Sequence, residues 1–246
     1  MARLAGLGRA ALRGMVYPAI PARSFLGYWI GRTGRDLKSR VEWLQRTAVA
    51  HARWVNLDIQ IRGEIPSTGL VVCNHVSYLD IVALSAIGRY AFVAKKEVAG
   101  WPLFGAYARL GATIFVDRER RGAVADVSSE MGNHLTAGVP LVLFPEGTST
   151  DGSRVLPFRS SLLEPVVQLD SPVATCGLRY TLEDGDPAEE VAYWGDMTLA
   201  PHLVNLLRKR GVRVELRFGS ARKPSGDRKK LARELYEEVR TLVGVD

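Results

Sequence analysis

A histidine and an aspartate, His75 and Asp80, stand five residues apart directly after the apolar run Leu70–Cys73. If the aspartate accepts a hydrogen bond from one ring nitrogen, the other nitrogen can take a proton from a hydroxyl group. The ionised carboxylate would also stabilise the imidazolium that forms. A plainer explanation exists, because Ser77 and Asp80 also fit a capping box at the start of a helix. On their own, these residues leave both explanations open.

Two cationic side chains stand at the ends of the next apolar runs. Lys95 ends the run at 91–95, and Arg118 follows the run at 113–116. An arginine at a strand end can clamp a phosphate through two parallel hydrogen bonds, and a lysine can balance negative charge nearby. Surface pairing of Arg118 with its acidic neighbours, and a solvated Lys95, are the structural alternatives.

The third polar segment is Phe-Pro-Glu-Gly-Thr at residues 144–148, which ends an apolar run that begins at residue 139. The carboxylate of Glu146 stands at the strand end, where it could bind substrate hydroxyls or hold Arg118 in place. Gly147 permits a tight turn or the close approach of a substrate. Ordinary turns after strands have the same composition, so this segment alone is a weak signal.

These polar groups need strands that end together, and the rest of the chain predicts such a sheet. Short apolar runs alternate with segments of helical periodicity. Ligands bind at the carboxyl ends of the strands in open α/β sheets. We therefore predict one α/β domain with a central, mostly buried sheet flanked by helices. The predicted strands are 57–62, 70–73, 91–95, 113–116, 139–144, 172–180 and 212–218 (the last an edge or outer strand), and the predicted helices are 79–87, 102–110, 124–135, 160–169 and 228–243.

The first 54 residues are basic and apolar at once. They carry ten of the 33 Lys and Arg residues and two of the 26 acidic ones, whereas the remainder is close to neutral. The large apolar and aromatic side chains between the charges suit the headgroup region of an anionic membrane better than nucleic acid. The charge-free stretch at 14–22 is too short to span a bilayer, and Arg9 and Arg13 interrupt any signal-peptide core.

The sequence therefore predicts an amphipathic helical membrane-associating arm at 1–54 and an α/β domain at 55–246. A helical pair that covers the domain core is the alternative for the arm. Cys73 and Cys176 both lie in apolar runs, which indicates reduced thiols in a cytoplasmic setting. We expect a peripheral or monotopic protein on the cytoplasmic face of a membrane. No His or Cys pair has metal-ligand spacing, so no metal site is predicted.

Together, the three polar segments resemble the glycerolipid acyltransferase family, of the type that acylates 1-acylglycerol-3-phosphate. Asn74, His75 and Asp80 are similar to its first motif, residues 111–118 to its second and residues 144–148 to its third. Their order and separations also fit, from the first predicted strand to the sixth. The resemblance favours the catalytic explanation of the His-Asp pair over the capping explanation.

This resemblance also implies a reaction. His75, oriented by Asp80, is the general base for the free hydroxyl of a lysolipid, which attacks the thioester of acyl-CoA or acyl-carrier protein. No covalent acyl-enzyme, metal or other cofactor is required. The residues implied in holding the acceptor headgroup are Arg118, Glu146, Gly147 and Thr148, and we count Asn74 and Lys95 with them as substrate-binding residues.

Two departures from the family pattern concern the acceptor. Members that act on lysophosphatidic acid usually have an arginine after Glu-Gly-Thr, whereas this chain has Ser149, and Arg154 or Arg159 would have to substitute. The fourth motif lacks a second proline after Pro172. We rank 1-acylglycerol-3-phosphate narrowly first, giving phosphatidic acid, with lyso-ornithine lipid or lysophosphatidylcholine as the alternative acceptor.

Two other classes of protein are alternatives to an acyltransferase. A thioesterase or lipase could use Cys73 with His75, since residues two apart on a strand share a face, although no flanking motif supports that nucleophile. A non-catalytic module could bind lipid or nucleic acid through the basic arm. The intact set of polar residues at the strand ends argues against a module without activity.

Overall fold

The computed structural model of the chain describes residues 2–30, 36–117, 120 and 122–245. Seven strands form one sheet in the order β1-β7-β6-β2-β5-β3-β4. Strands β6 and β7 are antiparallel, and the other neighbouring pairs are parallel. The strands are β1 (Leu57–Arg62), β2 (Leu70–Cys73), β3 (Ala91–Lys95), β4 (Ile114–Val116), β5 (Leu141–Leu143), β6 (Val173–Thr181) and β7 (Val212–Phe218).

Helices cover both faces of this sheet. The helices are α1 (Ala2–Val16), α2 (Ala19–Ile30), α3 (Leu37–Val55), α4 (Leu79–Ile87), α5 (Phe104–Leu110), α6 (Ala123–Thr136), α7 (Glu164–Gln168), α8 (Pro187–Glu190), α9 (Leu199–Arg208) and α10 (Arg228–Val243). Side chains of β2 alternate between the two layers: Val71 and Cys73 pack with α3, α4, α5 and α9, whereas Leu70 and Val72 pack with α6, α7 and α10. All four are fully buried. The predicted α/β fold with a central buried sheet is confirmed.

Two parts of the predicted arrangement of strands and helices can be compared with the structure. The strand at 212–218, predicted as an edge or outer strand, is the second strand from one edge, because β7 lies between β1 and β6 and the edge strands of the sheet are β1 and β4. The alternation of buried and exposed residues along β7 depends on how the two faces of the sheet are covered. It does not indicate whether other strands pair with β7 on both sides. The predicted helix at 160–169 is a single 3₁₀ turn followed by the short α7, and α8 and α9 were not predicted.

The last helix of the predicted arm, α3, packs into the core. Val41, Trp43, Leu44 and Val55 on α3 are buried, and the helix lies against α4. Asp36 begins the helix by accepting a hydrogen bond from a backbone N–H of the first turn. The apolar face of α3 is therefore covered by the domain. The division of the chain at residue 54 stays a prediction.

The first two helices leave much of their apolar surface exposed. The side chains concerned are Leu7, Leu12, Met15, Val16, Leu26, Trp29 and Ile30. Two of the basic residues have structural partners, because Arg9 and Arg13 donate hydrogen bonds to the last backbone carbonyls of α9 and the residues after it. In the described part of the chain, no helix is both long enough and apolar enough to cross a membrane.

Candidate active site

Four parallel strands, β2, β5, β3 and β4, lie side by side and end at the same edge of the sheet. A cavity of about 540 Å³ opens there. His75 after β2, Lys95 at the end of β3, and Gly147 and Thr148 after β5 all line it. The structure thus brings these four predicted residues to one site. Arg118, which follows β4, lies outside the described residues.

His75 and Asp80 form a direct pair at this edge. Nδ1 of His75 lies 2.7 Å from Oδ2 of Asp80. A carboxylate can only accept, so Nδ1 carries the proton and donates it. This tautomer leaves a lone pair on Nε2 of the ring. The pair therefore has the arrangement that general-base chemistry requires, with the second ring nitrogen available to a substrate hydroxyl.

Asp80 is completely buried and accepts four hydrogen bonds. Besides His75, the backbone N–H groups of Val76 and Ser77 donate to Oδ2 at 2.8 and 3.0 Å, and the Tyr180 hydroxyl donates to Oδ1 at 2.8 Å. Donors around both oxygens stabilise the charged form of a buried carboxylate. The catalytic and the capping explanations of Asp80 are therefore compatible, because its Oδ2 both fixes the turn before α4 and orients the imidazole of His75.

The backbone and ring of His75 are fixed from three sides. Its N–H donates to Glu146, its carbonyl accepts from the Thr150 N–H at 2.9 Å, and its ring stacks on Phe144 with centroids 4.3 Å apart. These contacts come from the loop after β5, which is the neighbour of β2. The third polar segment therefore acts on the imidazole by positioning it.

Glu146, which was predicted to bind substrate hydroxyls or to hold Arg118 in place, accepts hydrogen bonds from two backbone N–H groups of the fold. Oε1 accepts from the His75 N–H and Oε2 from the Leu156 N–H, both at 2.7 Å, and the side chain is buried. Burial raises the pKa of Glu146 to about 7, and the two N–H donors oppose that rise. Because both oxygens are engaged by backbone, Glu146 ties the β5 loop to His75 and to the segment near residue 156.

The burial of Glu146 predicts a pH effect on stability. Relative to a Glu146→Gln variant, the free energy of unfolding of the wild type is expected to fall as pH rises from 4.5 to about 7. In this window the unfolded carboxyl ionises while the folded one remains protonated, which favours unfolding, and above it the difference levels off. The full change is on the order of 3 kcal/mol. Denaturant unfolding at several pH values measures it, and a pH-independent difference would refute burial as the cause.

Asn74 also has a role different from substrate binding. Its amide donates to the Leu178 carbonyl at 2.9 Å and accepts from the Leu178 N–H at 2.8 Å. The side chain thus continues the β2–β6 pairing beyond the end of β2, and it is buried. Both functional groups of the amide are used within the fold. Asn74 therefore helps to fix the strand end from which His75 projects.

Side chains of two kinds line the cavity. Apolar side chains of α3, α4, α5 and β3 line it, among them Leu44, Ile81, Val82, Phe92 and Phe104. The charged groups Lys95, Asp117, Arg120 and Arg159 also line it. Such a cavity fits a molecule with an apolar chain and a charged end. His75 lines the same cavity.

Cys73 does not have the environment of a nucleophile. Its side chain is fully buried next to Cys176 on the neighbouring strand, and burial raises the pKa of its thiol well above the ordinary value. Cys73 is also absent from the lining of the cavity that His75 faces. A thiol hydrolase needs an accessible thiolate. The structure therefore disfavours the thioesterase or lipase alternative.

Two residues of the site were not predicted from the sequence. Tyr180 on β6 donates to Asp80 across 100 residues of chain, and Tyr193 lines the cavity, as does Arg159, one of the two arginines that the sequence offered in place of the missing one. Ser149 donates from Oγ to the Tyr193 carbonyl at 2.5 Å. Tyr180 belongs to an ordinary strand, and Tyr193 lies in an irregular segment without a motif. No local signal identifies either of them.

Comparisons with known proteins show the family to which the chain is similar. A family model described as Acyltransferase matches residues 56–179. A lyso-ornithine lipid O-acyltransferase of Brucella abortus is 42% identical over 191 residues, which are 71% of this chain and 70% of that protein. A protein of the same name from Rhizobium meliloti is 34% identical over 85% of this chain and 77% of its own.

More distant relatives cover nearly the whole chain. A 1-acyl-sn-glycerol-3-phosphate acyltransferase of Neisseria meningitidis is 28% identical over 90% of this chain and 91% of its own. The crystal structure of PlsC from Thermotoga maritima, a 1-acyl-sn-glycerophosphate acyltransferase, has the same fold, with a TM-score of 0.62, 23% identity and coverage of 99% and 96%. The chain belongs to the acyltransferase family. The predicted family and the acyltransferase class are confirmed.

Proposed function

We propose that this acyltransferase moves a fatty acyl group from a thioester donor to the free hydroxyl of lyso-ornithine lipid, with His75 as general base. The observation that supports this chemistry is the 2.7 Å hydrogen bond from His75 Nδ1 to the buried Asp80. His75 also lines a cavity that has both apolar and charged side chains in its lining. The donor is an acyl-CoA or an acyl-carrier protein, as the family resemblance implies.

The proposed reaction needs no covalent intermediate on the protein. Nε2 of His75 takes the proton of the acceptor hydroxyl while the hydroxyl oxygen attacks the thioester carbonyl carbon. The negative charge of Asp80 stabilises the imidazolium as it forms. When the tetrahedral intermediate collapses, the C–S bond breaks and the imidazolium returns the proton to the departing thiolate. Each turnover forms one ester and one free thiol.

The choice of acceptor depends on the charge near Ser149. This position carries a hydroxyl that is bonded to the Tyr193 carbonyl, where relatives that act on lysophosphatidic acid usually have a guanidinium. The charged side chains that line the cavity are the cations Lys95, Arg120 and Arg159 and the carboxylate Asp117. A lining with charges of both signs suits an ornithine headgroup, which bears both a carboxylate and an ammonium, better than a phosphate monoester. The names of the Brucella and Rhizobium relatives support the same acceptor. This order reverses the narrow ranking made from the sequence.

An acceptor competition tests this proposal. The wild type is given equal amounts of lyso-ornithine lipid and 1-acylglycerol-3-phosphate in the same mixed micelles, and products are counted by mass spectrometry. We expect lyso-ornithine lipid to be preferred, and Ser149→Arg to shift the product ratio at least about tenfold toward phosphatidic acid, because a guanidinium binds phosphate through two hydrogen bonds. Ser149→Ala is the control, and should shift the ratio less than about threefold.

One observation favours 1-acylglycerol-3-phosphate as the second candidate acceptor. Arg159 lies on the cavity wall and could replace the missing guanidinium, and the Neisseria relative bears the name of that activity. Preference of the wild type for this acceptor in the same mixture would refute the first choice of acceptor. It would leave the proposed acyl-transfer chemistry unchanged.

We also propose that α1 and α2 attach the protein to a membrane surface with anionic lipids. Leu12, Met15, Trp29 and Ile30 are each more than 60% exposed, and apolar side chains at this density suit the boundary between headgroups and acyl chains. The proposed location on the cytoplasmic face is supported only by the two free cysteines, Cys73 and Cys176. Because α3 is part of the core, an intact chain with surface substitutions is a better test than a truncation of the first 50 residues.

Replacing Leu12, Met15, Trp29 and Ile30 together with polar residues is expected to lower binding to phosphatidylcholine–phosphatidylglycerol vesicles at least about tenfold, because the apolar area buried in the interface is lost. Vesicle co-sedimentation measures the bound fraction. The control variant is Leu169→Gln, which removes an exposed apolar side chain outside the two helices. Unchanged binding of the fourfold variant would show that the attachment lies elsewhere.

A further inference from the structure

Tyr180 contacts Asp80 from the sheet, through the carboxylate oxygen that does not bond to His75. The other oxygen, Oδ2, accepts from the ring of His75 and from the backbone N–H groups of Val76 and Ser77. These three donors all belong to the turn that carries the base, so they move together if that turn shifts. Oδ1 accepts from the Tyr180 hydroxyl at 2.8 Å, and no second donor to it is found within the described residues. Tyr180 therefore relates the carboxylate to an element outside the turn.

The strand that carries Tyr180 is paired directly with the strand that precedes the base. In the parallel pairing of β6 with β2, Cys176 lies opposite Cys73, and Asn74 adds two hydrogen bonds with the backbone of Leu178. Side chains two apart on a strand share a face, and both Leu178 and Tyr180 pack in the buried layer that contains α4. The sheet thus sets the position of the Tyr180 hydroxyl, two residues beyond the contact with Asn74.

The Tyr180 hydroxyl remains a hydrogen-bond donor at neutral pH. Burial and the nearby charge of Asp80 raise the pKa of Tyr180 well above its ordinary value, so the phenol keeps its proton. An ionised carboxylate can only accept, so the proton of the phenol points at Oδ1. The hydrogen bond can therefore persist while His75 gains and loses its own proton.

We propose that Tyr180 is a positioning residue for acyl transfer, which holds the Asp80 carboxylate in the orientation that directs Oδ2 at His75. Without the hydroxyl, Oδ1 would lie in the core without its donor, which is costly for a charged oxygen. The carboxylate could avoid this cost by turning away from His75 or by becoming neutral, and both changes weaken its support of the imidazolium. This inference rests on the proposed function, because it takes His75 as the general base. The alternative is that the hydrogen bond serves stability alone.

Tyr180→Phe tests this proposal, since it removes the hydroxyl and keeps the ring in the core. We expect kcat for transfer to the preferred lysolipid to fall about tenfold, as the loss of one hydrogen bond to a charged group would cause. The KM values of both substrates should stay within about twofold of the wild type, because Tyr180 is not part of the cavity lining. Steady-state kinetics at equal folded concentration, below the Tm of every variant, measure both constants.

Tyr90→Phe is the matched control. Tyr90 is 1% exposed and Tyr180 is 5% exposed, and each hydroxyl donates one hydrogen bond of 2.8 Å. The acceptor of Tyr90 is the Pro66 carbonyl, and Tyr90 is also absent from the cavity lining. Both variants should lower the Tm, whereas only Tyr180→Phe should lower kcat. A role in stability alone would leave kcat per folded molecule at the wild-type value in both.

A double-mutant cycle shows whether Tyr180 acts through His75. In the His75→Ala background, Tyr180→Phe should change the residual rate less than about twofold, because no imidazole is left to position. Single-turnover assays with a labelled thioester measure this residual rate. A further tenfold loss in that background would mean that the hydroxyl affects the site by another route, and would overturn the proposal.

The other possible failures are also distinguishable. A kcat of Tyr180→Phe within about twofold of the wild type, or an equal fall in kcat of Tyr90→Phe, would overturn the positioning role. Either result leaves acyl transfer by His75 intact. If His75→Ala retains the wild-type rate, the proposed function itself fails, and the role of Tyr180 with it.

Discussion

Replacing His75 with alanine is expected to lower the rate of acyl transfer at least about 100-fold, because a positioned general base contributes two to four orders of magnitude. The fold should be kept. The side chain of His75 is 24% exposed, and Asp80 retains hydrogen bonds from the Val76 and Ser77 N–H groups and from Tyr180 when the imidazole is gone. The buried carboxylate is therefore still satisfied.

The measurement is thiol release from the thioester donor with the preferred lysolipid, together with a thermal unfolding curve. His134→Gln serves as a control, since this histidine is buried outside the cavity and its ring nitrogens lie near backbone carbonyls. That variant should lose stability and keep its activity per folded molecule. Activity of His75→Ala above about 10% of the wild type would contradict a general base of this strength.

Replacing Asp80 with asparagine is expected to reduce the rate about 100-fold or more while the Michaelis constant for the acceptor changes little. The amide can point its oxygen at His75 and the two backbone donors and its NH₂ at Tyr180, so the ring stays oriented. The negative charge that stabilises the imidazolium is lost, and this interaction exists only in the transition state. Asp80→Ala, in contrast, leaves four donors without an acceptor and should cost about 3–5 kcal/mol of stability.

Ser77→Ala is the control for a purely structural role of Asp80. Ser77 is the other residue of the possible capping box, in which Asp80 would serve only to begin α4. The Ser77 hydroxyl accepts one long hydrogen bond, 3.4 Å from the Leu79 N–H, so its removal should leave the rate close to that of the wild type. Steady-state kinetics of both variants at equal folded concentration measure the difference. If Asp80→Asn keeps more than half of the activity, the carboxylate fixes the turn before α4 and does nothing for catalysis.

The sequence predicted those parts of the site that depend on local order along the chain. His75 and Asp80 lie five residues apart across one turn, so their contact needs only the end of β2 and the start of α4. The meeting of His75, Lys95 and Gly147 follows from the buried apolar runs, because parallel strands end at one edge of a sheet.

Contacts between distant segments could not be predicted in this way. Residue type alone does not tell where a carboxylate points: the sequence offered substrate hydroxyls or Arg118 as partners of Glu146 and gave no sign that it also binds the backbone N–H of His75. The hydrogen bond that the Tyr180 hydroxyl donates to Asp80 depends on the order of the strands, which places β6 beside β2. The apolar face of α3 had two candidate partners, a membrane and the rest of the domain, and amphipathicity is the same for both.

The central claim is that His75 activates the acceptor hydroxyl and that the acyl group passes directly from thioester to lysolipid. Intact-protein mass spectrometry under single-turnover conditions, with excess enzyme over a labelled thioester, tests this claim most directly. The expected result is no acyl adduct on the protein at any time, and thiol release only after lysolipid is added, with one ester formed per thiol. An acylated protein that is chemically competent, or thiol release without lysolipid, would contradict it.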